Sequence, residues 1–179
     1  ANIDLPGVNS AGNQNTSGNA ATATYAPLIS GTAVTTTSGT TADFTGIPSW
    51  VKRITIMFNE VSLAGNAEIV LQVGSGSFIS TGYISTASYV GPNVASTQSS
   101  TIGFLITSNS NSTMFVSGTT TLCLINNNIW THSGTLSKIG TGSSGAQFGG
   151  GVSPNLSGAL DRIRITSTTG TTFDAGSIN

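Results

Sequence analysis

His132 and Cys123 are the only histidine and the only cysteine of this 179-residue chain. A histidine is the side chain best suited to act as a general base near neutral pH. A Ser-His-Asp triad built on His132 would need its serine on a strand-to-helix elbow, and no Gly-x-Ser-x-Gly stretch precedes a helical pattern. Cys123 lies in the apolar run Leu122-Cys123-Leu124-Ile125, with no second histidine or basic residue beside it. It reads as a small buried side chain, not a nucleophile. The carboxylates are Asp4, Asp43, Glu60, Glu68, Asp161 and Asp174, and glycoside hydrolysis would need two of them roughly 5–10 Å apart. Asp43, Asp161 and Asp174 neighbour cationic segments, so pairing with Arg53, Arg162 and Arg164 is the expected use. Glu60 and Glu68 flank Leu63-Ala64-Gly65-Asn66 and are expected at the solvated ends of a hairpin. Gly74-Ser75-Gly76-Ser77 and the segment from Gly140 to Gly145 are glycine-rich, but no helix follows to cradle a phosphate. Three Asn-x-Ser/Thr matches, at Asn15, Asn111 and Asn155, are what chance produces in a chain so rich in these residues. No catalytic, cofactor or metal site emerges. The expectation is a protein that is not an enzyme.

A binding surface is better supplied. Aromatic rings stack on the apolar faces of sugars, while amides and hydroxyls hydrogen-bond to sugar hydroxyls. Trp130 and His132 follow Asn126-Asn127-Asn128, Tyr83 precedes a Ser/Thr stretch, and Phe148 is the bulky anchor of the loop Gly140–Pro154. Asn127, Trp130, His132, Tyr83 and Phe148 are therefore the candidate receptor-binding residues. For Trp130 a place in the core between sheets is an equally good reading. The loop Thr107–Thr113 is a second place where binding could reside.

The elements that must position these residues are strands. Only 6% of the chain is charged, against about 25% in an ordinary soluble domain. In place of charge stand 26 serines, 28 threonines and 23 glycines. Two glutamates and two lysines leave little helix-forming material, whereas β-branched residues abound. Ile54, Ile56 and Phe58 alternate onto one face of a strand over 51–61, and Ile69, Leu71 and Val73 repeat that period. Further strands are expected at 34–37, 41–45, around Tyr83 and Ile84, and over 101–107, 114–116, 119–125 and 129–132. The last two are expected over 157–168, with Ile163 and Ile165 inward, and around Phe173 and Ile178. Short strands at this spacing predict an all-β, antiparallel β-sandwich, with a jelly roll as the preferred winding. Residues 1–30 hold few bulky groups and predict an extended arm, with the sandwich at 31–179.

A net charge of −1 supplies no basic stripe for nucleic acid. No apolar run approaches the ~18 residues of a membrane span, and no basic-then-apolar leader opens the sequence. Sheet edges so poorly furnished with lysine and glutamate invite pairing, which sister copies in a closed assembly would prevent. Homo-oligomerisation is expected.

The segment Thr41-Ala42-Asp43-Phe44-Thr45-Gly46-Ile47-Pro48-Ser49-Trp50-Val51-Lys52-Arg53-Ile54 resembles the opening of a C-terminal β-rich head domain of tailed-bacteriophage tail-fibre and virion structural proteins. The likeness continues through Gly82-Tyr83, Leu160 to Thr166 and Thr172 to Asn179, while Gly18 to Thr24 is similar to the small-residue repeats of fibre shafts. This resemblance implies a virion-surface protein, a homotrimer in contact with other virion proteins, whose head meets a bacterial surface glycan or protein. A capsid-decorating or head-fibre protein is the alternative it leaves open. The family pattern marks scaffold strands and carries over no receptor-binding residue.

Overall fold

The computed structural model describes residues 28–140 and 144–179. The chain divides between Ser30 and Gly31 into two units, and the arm expected over 1–30 lies almost wholly outside the described residues. The second unit is all β. In chain order its strands are β1 (Val34–Thr35), β2 (Thr41–Thr45), β3 (Arg53–Leu63), β4 (Ile69–Ser75), β5 (Ser77–Phe78), β6 (Ile84–Val90) and β7 (Ala95–Ser100). There follow β8 (Phe104–Leu105), β9 (Met114–Asn126), β10 (Ile129–Gly140), β11 (Gly145–Val152), β12 (Arg162–Ser167) and β13 (Phe173–Ile178).

These strands form an antiparallel β-sandwich. The wide sheet has eight strands in the order β1-β13-β3-β9-β10-β11-β6-β7, and the narrow sheet runs β2-β12-β4-β5, with β8 also paired to β4. Ile56, Phe58, Leu122 and Trp130 of the wide sheet share one buried cluster with Leu71, Val73, Ile163 and Ile165 of the narrow sheet. The alternation read from the sequence explains the inner faces: Ile56 and Phe58 are buried while Thr55, Met57 and Asn59 are exposed. The chain crosses between sheets from β2 to β3, from β3 to β4 and from β12 to β13. By contrast β9, β10 and β11 form a meander inside one sheet.

Several elements differ from expectation, each for a physical reason. Strand β9 is continuous through Ser117-Gly118, where two strands were expected. Between the pairs Phe58–Gly118 and Val61–Val116, β3 uses one residue more than β9. This bulge places Glu60 at a φ of 51° and switches Val61 inward. Strand β11 fills what reads as the loop Gly140–Pro154. Its glycines conceal a strand pattern because the backbone is approached closely: a Cβ on Gly151 would stand 2.6 Å from the Ile84 carbonyl oxygen. Strand β7 escapes notice because only Ser100 of its six residues is buried. The stretch expected as one strand over 101–107 contains only the two-residue β8.

Glu60 and Glu68 do not face each other, since β3 and β4 belong to different sheets. Asp43 receives two hydrogen bonds from Arg164, at 2.7 and 2.6 Å, and Asp161 receives two from Arg162. Asp174 departs from the expected arginine pairing and instead accepts a hydrogen bond from the Ser62 hydroxyl.

Candidate functional site

The β9–β10 turn brings two of the candidate residues together. Asn126 pairs with Ile129 across a loop of two residues, Asn127 and Asn128. Asn127 takes a φ of 50°, a left-handed conformation that asparagine tolerates better than most side chains. A register shift just beyond it, between Ile129 and Trp130, makes Ile125 the extra residue of β9 and turns Trp130 inward. The Trp130 backbone is then held on both sides. Its N–H donates to the Ser153 hydroxyl at 2.9 Å, and its carbonyl accepts from the Ser153 N–H at 2.8 Å.

A small depression opens at this end of the sandwich, lined among others by Ser49, Lys52, Asn127, Asn128, Trp130 and Leu160. Lys52 and Asn127 are exposed. Lys52 belongs to neither of the two ion pairs found among the described residues. Trp130 is 2% exposed, and its indole N–H has no hydrogen-bond partner. The residues that line it thus bring a hydroxyl, two amides and an ammonium to one end of the sandwich, beside a buried indole. Such a set can donate to and accept from a neutral, hydroxyl-bearing ligand.

The other three candidates are elsewhere. Tyr83 is a strut of the core: its hydroxyl accepts from the Val73 N–H at 2.8 Å and donates to the Ile79 carbonyl at 3.0 Å. Burial pushes its pKa up to about 12. His132 is 2% exposed, its ring 5.2 Å from that of Phe104, and neither ring nitrogen has a partner. Burial lowers its pKa to about 4, so the imidazole is neutral at physiological pH. Neither side chain presents a face to a ligand, because inward alternation on β10 and the packing around β4 seal them inside. Phe148 is exposed, but it stands on the outer face of the wide sheet and does not line the depression.

No protein family, curated protein or solved structure matches this chain.

Sequence reasoning passes over a second polar cluster, under the loop 107–113. Lys138 is 1% exposed, donates to the Asn109 carbonyl, and lies 3.9 Å from the centroid of the Tyr89 ring. Burial lowers its pKa, and the charge of Glu68 acts in the opposite direction. Glu68 accepts from the Thr107 hydroxyl and the Ser110 N–H, at 2.8 and 3.0 Å. Gln147 holds Ser108 with two hydrogen bonds, at 2.9 and 2.8 Å. The loop nominated for binding is therefore clamped from beneath by three polar side chains. Its only sequence signal is a lysine at an inward position of an otherwise apolar alternation, Leu136 to Lys138. Cys123 also departs from its reading. It is half-buried, and Arg53 stands directly opposite on β3.

Proposed function

We propose that this chain is a non-enzymatic virion structural protein, the homo-oligomeric head of a tail fibre that attaches a phage to a bacterial surface glycan. The observation that carries this reading is the depression lined by Asn127, Asn128, Lys52 and Ser49 beside the buried Trp130. The sequence resemblance described above supplies the virion context, and the antiparallel sandwich is consistent with it.

Affinity at one depression is expected to be modest, because the site is small and its polar groups are few. Several heads on one particle compensate through effective concentration. The test is an array of bacterial surface polysaccharides probed with the full chain. Saturable binding that free polysaccharide competes away is expected, weakened about tenfold by Asn127→Ala, the loss of roughly one hydrogen bond. Binding to assembled capsids alone, with no polysaccharide retained, would instead make the chain a decoration protein.

A further inference from the structure

The outer face of the wide sheet is a surface that this depression does not use. Strand register lines up Met57, Thr119, Thr135, Phe148, Ser88 and Thr97 in one row across six strands. All of these except the half-buried Ser88 are exposed. The rows on either side carry the same chemistry, hydroxyls and small or apolar side chains. On the outward positions of β9, β10, β11, β6 and β7 no residue is charged. The narrow sheet is the opposite case. Its outer side holds the Asp43–Arg164 pair, and Arg162 and Arg164 lie over the Phe78 ring. On the wide sheet the exposed ionic groups, Arg53, Glu60 and Asp174, are confined to β3 and β13.

We infer that this face, uncharged over β9, β10, β11, β6 and β7, is where a second copy of the chain packs. Two properties favour that occupant. Near the symmetry axis of an interface between identical copies a residue meets its own equivalent, so a charge there would meet like charge, and β9, β10, β11, β6 and β7 offer none on this side. Its size also suffices. Six strands ~4.8 Å apart and roughly six residues long span about 29 by 20 Å, or on the order of 600 Å² in projection, close to the ~800 Å² per partner of a stable interface. Turned towards a common axis, such faces could close a dimer or a trimer. This deepens the homo-oligomeric part of the function proposed above and rests on it.

Sedimentation of the full chain tests the surface directly. The probes are Thr119→Lys combined with Thr135→Lys, adjacent exposed positions on β9 and β10, and, as control, Thr45→Lys on the exposed side of β2. The expected result is a wild-type mass of two or three 18.0-kDa protomers, retained by the control and reduced to one protomer in the double variant with its β-sheet circular dichroism unchanged. An oligomer that survives the double substitution overturns this surface and leaves the oligomeric reading intact. A wild-type protein that sediments as one protomer overturns both. Binding to the polysaccharide array by the wild type that the double variant loses, without change of mass, would assign the face to a glycan and overturn the second copy.

Discussion

Gly149 of β11 stands against the His132 ring of β10: a Cβ built on Gly149 would lie 3.2 Å from His132 Cε1 and 2.8 Å from the Leu105 carbonyl oxygen. The wide sheet and β8 close on each other at this point, and the absent side chain is what lets them approach. Gly149→Ala is expected to destabilise the fold by about 1–3 kcal/mol through overpacking. A fall in the urea midpoint with an unchanged slope would show it.

The same burial makes His132 a source of acid sensitivity. Its folded-state pKa of about 4 lies below the unfolded value of 6.5, so the unfolded chain binds the extra proton between those limits. Stability is therefore fully present above pH 6.5, declines as pH falls through that window and levels below about 4. The total loss is about 3 kcal/mol. His132→Leu removes both the titration and the two unpartnered nitrogens. Unfolding curves at pH 7 and pH 4 should differ less for the variant than for the wild type, once the background from the carboxylates is common to both.

The bulge in β3 makes a paired prediction. Glu60 occupies a left-handed conformation, and relaxing it with Glu60→Gly is expected to be neutral or to stabilise by up to about 1 kcal/mol. Facing it, Gly176 has a φ of 93°, and a Cβ there would meet the Glu60 carbonyl oxygen at 2.4 Å. Gly176→Ala is expected to destabilise by at least about 2 kcal/mol. Equal effects from the two changes, measured by thermal unfolding, would contradict the bulge.

Lys138 should control the loop above it. Lys138→Met keeps the aliphatic stem but leaves the Asn109 carbonyl without its donor, at a cost of about 1–3 kcal/mol. Amide hydrogen exchange at Ser108, Asn109 and Ser110 is expected to accelerate more than exchange in β3 or β9. Uniform acceleration would mean that the lysine serves global stability alone.

The sandwich was legible in the sequence because its core strands alternate strongly, and Ile54 to Phe58, Ile69 to Val73 and Ile163 to Ile165 all lie in strands where strands were expected. Strands β7 and β11 were not legible. One buries almost nothing, and the other replaces inward side chains with glycine where neighbouring backbone comes near. The site was half legible. The turn at Asn126-Asn127-Asn128 is a visible signal, but burial of Tyr83 and His132 depends on which strands cover them, and strand order leaves no mark on local pattern. Edge protection shows the same limit. Scarce lysine and glutamate direct attention to the edges, yet β1 and β5 are guarded by being two residues long, and β2 by the Asp43–Arg164 pair. Among the described strands β7 is the long edge without charge.

Where the chain sits on the particle tests the proposed attachment role most directly. Electron microscopy of virions labelled with antibody against residues 31–179 is expected to place the label at fibre tips, with the same antibody blocking adsorption to host cells. Label spread evenly over the capsid shell, with adsorption unaffected, would contradict it.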